Sequence, residues 1–315
     1  MDMTETVVFV NGFLEAGKTT FIKELLDRDG FKINGKMLLI VCEEGEEEYD
    51  RKELEQRKVY VEYLENEEDF TPERISEMER RIRPDIVIVE YNGMWRRKDL
   101  RFPDNWQNIV EVAIIDAATF KIYSENLRVF LAEQVRTAEM VIFNRCDGVR
   151  EKLADYGRNI KAVNPGVCNL FRGAEGDIVL DPDESLPYDI SKDILELDDP
   201  GFFAFFMDVH ERCEKYIGKM VSFRAKAYQT KTDEDFLFVA GRQVMACCEA
   251  DISFIGFLCS YPKAYELKNR EWIRAVGKMK MIYDEAAGRQ VPLCRITSLE
   301  VTEAPEEEIM TISAM

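Results

Sequence analysis

Apolar residues in the first half of the chain fall into short runs, interrupted only by Glu111 in the run at 110–115, and most of them stop at a polar or acidic position. Residues 7–10, 37–41, 86–89, 110–115 and 140–143 are such runs, rich in Val, Ile and Leu. Runs apolar on both faces predict strands buried on both sides, as in a parallel sheet. Between them the period changes. Residues 72–82 place Ile75, Met78 and Ile82 on one face behind Pro72, which predicts a helix. Residues 21–27, 50–57 and 127–138 also read as helix, residues 59–64 as a weakly alternating strand, and residues 161–166 as a short strand leading into a turn. Alternation of strand and helix predicts an α/β fold, a doubly wound and mostly parallel sheet.

The pattern shifts after residue 173. Residues 173–200 are rich in Asp, Pro and Gly, with little periodicity, and read as the end of one domain plus a connection. Residues 202–217 look helical. Strands then dominate, at 220–228, 236–244, 254–260, 272–282 and 291–301, with turns at Thr232-Asp233-Glu234 and Ala287-Gly288. Such a series predicts a small all-β, OB-like barrel, closed or partly open. The expected organisation is an α/β domain over 1–190, a linker and helix over 191–217, a barrel over 218–303 and an acidic flexible tail over 304–315. Glu306, Glu307 and Glu308 are expected to be solvated there. A length of 315 residues suits two cores, since one core rarely grows beyond about 250 residues.

Composition narrows the partners. A net charge of −19 argues against nucleic acid and anionic membrane surfaces and is compatible with handling cations. No apolar run approaches a bilayer span and no signal peptide opens the chain, so a cytoplasmic, soluble protein is expected. The eight cysteines lack a C-x-x-C spacing and read as buried thiols or metal ligands rather than disulfides. His210 is the only histidine, which nearly excludes a His base or a multi-His metal site. His210 and Cys213, three apart, are a candidate ligand pair, though a packed helix is the simpler reading.

The first apolar run feeds Gly12-Phe13-Leu14-Glu15-Ala16-Gly17-Lys18-Thr19-Thr20, a match to G-x-x-x-x-G-K-[ST] with a helix after it. Gly12 and Gly17 let successive N–H groups turn inward on phosphate oxygens, and the helix N-terminus adds partial positive charge. Lys18 can reach the β/γ-phosphates, and the Thr19 hydroxyl can ligate Mg²⁺. The run at 86–89 ends in Glu90, with Gly93 beyond it. Glu90 can hold Mg²⁺-bound water or orient the attacking water, and the Gly93 N–H can meet the γ-phosphate. Glu43 and the carboxylates up to Asp50 follow the run at 37–41. They read either as a switch loop touching Mg²⁺ or as a solvated loop opening a helix, and solvation is preferred for most of them. The run at 140–143 ends in Asn144-Arg145-Cys146-Asp147. An Asp carboxylate there accepts from the ring N–H and exocyclic amine of guanine, Asn144 braces the loop, and the Arg145 stem covers the base plane. Behind a phosphate loop this favours GTP over ATP and disfavours a kinase. Asn164-Pro165 is read as the last wall of the nucleotide site.

Together these stretches, with Asp116-Ala117 and Gln134, resemble the CobW-like GTPases, relatives of HypB and UreG, over roughly residues 6–170. The resemblance implies GTP hydrolysis with Mg²⁺ coupled to delivering or sensing a metal ion, with homodimers in some relatives. The chain departs from that pattern in three ways. Glu15 stands where the family has Gly, and a carboxylate beside a triphosphate is unfavourable unless it points outward. The family's C-x-C-C motif is absent between residues 50 and 84, which leaves Glu43 as an oxygen ligand. The chain also has no His-rich tail.

Residues 216–303, with Cys247-Cys248 and the Trp272-x-x-Ala-Val-x-Gly stretch, resemble the C-terminal barrel of YcgQ-type proteins, soluble partners of membrane permeases. Cys247, Cys248 and Cys259 are candidate ligands for Zn²⁺ or another soft ion, set against small buried thiols. Two functions are carried forward. One is a slow GTPase in which Lys18 and Glu90 are catalytic and whose nucleotide state governs metal handling for a metalloprotein client. The other is a nucleotide-gated adaptor for a membrane permease, with little turnover and no transferable metal.

Overall fold

The structure, a computed structural model, describes residues 6–31, 34–43, 45, 47–181, 183, 186–230, 236–246, 251–284 and 288–312. The chain divides into two compact units, one ending at Leu180 and the other spanning Asp181–Ile312.

The first unit opens with β1 (Thr6–Asn11), α1 (Lys18–Asp27), β2 (Met37–Val41), α2 (Arg51–Gln56), β3 (Val59–Tyr63), α3 (Pro72–Ile82) and β4 (Ile86–Glu90). It continues through β5 (Asn108–Asp116), α4 (Phe120–Asn126), α5 (Arg128–Val135), β6 (Met140–Asn144), α6 (Leu153–Val163), β7 (Cys168–Gly173) and β8 (Gly176–Asp177). The strands form an eight-stranded sheet in the order β3-β2-β4-β1-β5-β6-β7-β8. All pairings are parallel except β7 with β8.

Alternation along each strand sends neighbouring side chains to opposite faces. Val8, Val10, Leu39, Ile88 and Ile114 pack with Ile22 and Leu26 of α1. Val7, Phe9, Leu38, Ile40 and Val89 pack with Ile75, Met78 and Ile82 of α3. Ala113, Ile115, Val141 and Phe143 meet Leu131 and Val135 of α5 and Leu153, Tyr156 and Ile160 of α6. Helices therefore cover both faces, which is why the strands read as continuous apolar runs. α3 begins as its sequence suggests, with Thr71 accepting from the Arg74 N–H and Pro72 in the first turn.

Residues 161–166 are a correction to the sequence reading. Lys161 to Val163 are the last turn of α6, not a strand, because Leu153, Tyr156, Gly157 and Ile160 recur at helical spacing and bury one side. The strand comes later, as β7.

The second unit contains β9 (Ile194–Leu197), α7 (Asp199–Glu211), β10 (Met220–Gln229), β11 (Leu237–Met245), β12 (Ile252–Ser260), β13 (Glu271–Asp284), β14 (Arg289–Val301) and β15 (Ile309–Thr311). Five of them close a barrel, β10-β11-β12-β14-β13 and back to β10, with β12 and β14 parallel. β9 and β15 extend it by parallel pairing to β10 and β11.

Three sequence expectations differ here. The division falls after Leu180 rather than at 190. Residues 191–217 are not a linker. β9 joins the barrel sheet, and the rings of Phe202, Phe205 and Phe206 from α7 lie 5.4–5.7 Å from that of Phe257. Four phenylalanines in one turn and a half cannot stay in water, so this helix packs against β12. α7 also ends at Glu211, so Cys213 does not share its face with His210, which is exposed. The tail is held as well. Met310 and Ile312 are buried, Lys226 pairs with Glu308 at 2.6 Å, and the Arg242 guanidinium donates to the Glu307 carbonyl at 3.0 Å. Among the described residues, no helix is long and apolar enough to cross a membrane.

Candidate functional site

In a parallel sheet, the loops after the strand C-termini gather at one edge. There β1 delivers the glycine-rich loop, β2 the acidic loop, β4 Glu90 and β6 Asn144. Gly12 lies so close to β5 that an added Cβ would sit 2.2 Å from the Ile114 carbonyl oxygen. Gly93 lies against the same loop from the other side, where an added Cβ would sit 2.2 Å from the Gly12 carbonyl oxygen. Neither position admits a side chain, so the loop's path is set by backbone contact.

Lys18 is buried, and its ammonium donates to the carbonyls of Gly12 (2.8 Å) and Phe13 (2.9 Å) and pairs with the Glu43 carboxylate. The Thr19 hydroxyl donates to Glu90 Oε1 at 2.6 Å, and the Tyr49 hydroxyl donates to Glu90 Oε2 at 2.6 Å. Burial raises the Glu90 pKa above its ordinary 4.5, against the lowering pull of Thr19, Tyr49 and the Lys18 charge. Glu47 accepts from Thr20 (3.2 Å) and Lys23 (2.9 Å), and the Lys23 hydrogen bond lowers its pKa. Through Glu43, Glu47 and Tyr49, the acidic segment is tied to the phosphate loop and to Glu90. Glu48 is exposed, in line with solvation, and Glu44 and Glu46 lie outside the described residues.

Asn144 donates to the Ala16 carbonyl at 2.9 Å and also abuts Gly17. Arg145 reaches the Glu15 carbonyl at 2.9 Å and pairs with Asp116. Glu15 is exposed and lines the same cavity as Lys18 and Thr19. Its backbone is left-handed (φ 60°), a conformation that favours glycine. Lys18, Thr19, Thr20, Glu43, Glu90 and Arg145 line a cavity of about 130 Å³. Arg145 and Glu15 also line a second, of about 110 Å³, with Asp116 and Tyr123. The phosphate loop and the β6 loop thus share a wall. Asp147 is exposed at the same edge, one oxygen accepting from the Ala174 N–H at 3.0 Å.

Asn164 and Pro165 are not brought to this edge. Asn164 donates to the carbonyls of Val135 (2.8 Å) and Ala138 (2.7 Å), where the chain enters β6 from its N-terminal end. The reading of 161–166 as a strand had placed them on the wrong side of the sheet. Cys259 faces into the barrel, fully buried and in register with Cys294, and burial beside that thiol raises its pKa. It offers no thiolate at the surface. Cys247 and Cys248 lie outside the described residues. No group of three or more His, Cys, Asp or Glu side chains placed to hold a metal occurs among the described residues. Around Thr19 the donors are all oxygen, from Thr19, Glu43 and Glu90, a set that suits Mg²⁺ and not a soft ion.

Sequence reasoning missed Tyr49 as a partner of Glu90 and Asn11 as a buried brace. The Asn11 amide donates to the Gln134 carbonyl (3.1 Å), and the Gln134 amide donates to the Gly93 carbonyl (2.9 Å). A polar residue closing an apolar strand, as Asn11 closes β1, was the available signal.

Comparison with known proteins bears on both units. A family model described as CobW/HypB/UreG, nucleotide-binding domain, matches residues 6–169, and one described as DUF1980 C-terminal domain matches residues 182–310. The UPF0703 protein YcgQ of Bacillus subtilis (strain 168) is 24% identical over 118 residues, covering 37% of this chain and 41% of that protein. The chain therefore spans about two fifths of that relative's length. The hydrogenase maturation factor HypB from Archaeoglobus fulgidus is similar in structure over 55% of this chain and 83% of its own, with 14% identity and a TM-score of 0.43. HypB from Helicobacter pylori, in complex with nickel, is similar over 68% and 89%, with 12% identity and a TM-score of 0.39.

Proposed function

The chain belongs, through residues 6–169, to the CobW/HypB/UreG family of nucleotide-binding domains, and from that premise we propose that it binds and slowly hydrolyses GTP, using the cleavage to move its acidic loop and govern metal handling. The observation that carries this is the ion pair between Lys18 and Glu43. A triphosphate seated on the loop amides needs the Lys18 ammonium for itself, so phosphate and Glu43 compete for one cation. Binding frees the acidic loop, and loss of the γ-phosphate lets it return.

Thr19 with Glu43 or Glu90 would hold Mg²⁺, which would supply charge neutralisation for the phosphates. Glu90 orients the attacking water, fixed in turn by Tyr49. Asn144 holds the phosphate loop in shape, and Arg145 with Asp147 selects guanine.

The test is competition between GTP and ATP on the full chain. GTP is expected to win, Asp147→Asn to lose most of that preference, and Lys18→Ala to bind neither nucleotide detectably. A variant at Asp147 that prefers GTP as strongly as the parent would remove the base assignment.

The inward-facing thiol of Cys259 favours the second reading, a nucleotide-gated adaptor for a membrane permease that carries no thiolate-bound metal. Metal titration of the parent against Cys247→Ser with Cys248→Ser separates the two. Stoichiometric metal lost in that variant supports metal handling, and no bound metal with or without GTP supports the adaptor.

A further inference from the structure

On the outer face of the barrel, Lys278, Lys280 and Arg295 line a cavity of about 760 Å³, within the range of small-molecule sites, together with Phe236, Tyr261 and Ser260. Lys278 stands directly opposite Arg295 across the β13–β14 ladder, and Arg295 is in register with Ser260 across β14–β12. Lys280, two residues along, shares the face.

Like charges facing each other across a ladder destabilise a sheet. None of the three side chains has an ion pair or side-chain hydrogen bond involving the described residues, although the chain carries 61 acidic residues against 42 basic ones. Some other cations of this unit are paired, as with Lys226 and Glu308, Arg242 and Asp199, and Arg212 and Asp183. At the rim, the Tyr261 N–H donates to the Phe236 carbonyl at 2.8 Å, which sets the two aromatic residues side by side, and Phe236 is 46% exposed.

We propose that this cavity binds a small phosphate ester carrying a planar ring. Three clustered cations match a phosphoryl group of two or more charges, with the Arg295 fork offering paired donors to its oxygens. The exposed ring offers a stacking surface for a planar group. A long polyanion fits less well. Its many phosphates meet the field of a chain with net charge −19, whereas a small ester meets only the local cations.

The test is calorimetric titration of the full chain carrying Lys18→Ala, which silences the phosphate loop. The probes are adenosine 5′-monophosphate, inorganic pyrophosphate and an oligothymidylate. Both small probes are expected to saturate, with affinity falling about tenfold or more when Lys278→Gln and Arg295→Gln are added. Phe236→Ala is expected to weaken the monophosphate and leave pyrophosphate unchanged. All three positions are exposed, so circular dichroism of the variants should match the parent. The proposal is overturned if neither small probe binds, if the double substitution leaves affinity unchanged, or if the oligothymidylate binds more tightly than the monophosphate and loses that binding in the same variant.

Discussion

Glu90 is a carboxylate only 3% exposed, with a hydroxyl donor on each oxygen. Because burial raises its pKa, the folded chain keeps this proton at a pH where the unfolded chain has released it. Its contribution to stability is therefore fully present below the unfolded value and lost as pH rises through the folded one. Glu90→Gln should flatten that fall, read as thermal midpoints over about pH 4 to 7. If Glu90 must be ionised to orient water, the same shift moves the acid limb of the proposed GTP hydrolysis upward from that of an ordinary carboxylate. Tyr49→Phe removes one donor to the carboxylate, so the limb should move higher still. Leaving Oε2 unpaired in a buried site should also cost about 1–3 kcal/mol in urea denaturation. If neither limb nor stability moves, Tyr49 serves as packing alone. Glu90 was legible from its place at the end of an apolar run. Tyr49 was not, because its partner lies 41 residues away and it sits in a charged stretch that reads as solvent-facing.

The element that changes most between sequence and structure is the acidic loop after β2. Its charge density suggested solvation, yet Glu43 pairs with Lys18, Glu47 accepts from Thr20, and Tyr49 donates to Glu90. Glu43→Gln takes away the counter-charge of the buried Lys18 ammonium and leaves it neutral acceptors alone. That should cost about 3 kcal/mol in the free protein, measured by denaturant titration. It also removes the anion that competes with phosphate, so affinity for GTP in EDTA should rise roughly tenfold while the gain on adding Mg²⁺ shrinks. Equal affinity of parent and variant in EDTA would exclude the competition. At the other end of the chain, β15 anchors what composition suggested was a free tail. Truncation after Ala304 removes buried Met310 and Ile312 and the carbonyl held by buried Arg242. The barrel should lose about 3–5 kcal/mol, seen as a lower midpoint by circular dichroism. The α3 helix was readable to the residue because cap, proline and apolar stripe agreed. The end of α6 was misread because Lys161 to Val163, taken alone, have no helical signature and depend on the turns before them.

For the whole molecule, two separately cored units should give two calorimetric transitions. GTP with Mg²⁺ at a hundred times its Kd should stabilise the sheet unit by about 2.7 kcal/mol. If nucleotide binding also reaches the barrel, the second transition should move too, and a fixed second transition would confine the effect to the sheet unit. The parallel sheet, the barrel and the order of loops along the strand ends followed from apolar periodicity and glycine spacing, since these act through local geometry. So did the phosphate loop itself, whose consecutive backbone amides, Lys18 and Thr19 are neighbours in sequence. What required the tertiary structure were pairings between distant residues: Glu43 with Lys18, Tyr49 with Glu90, Cys259 turned toward Cys294, and three cations gathered on adjacent strands. Each depends on strand register and on which face a side chain takes. A single sequence encodes those only through the closed set of contacts that the folded chain makes.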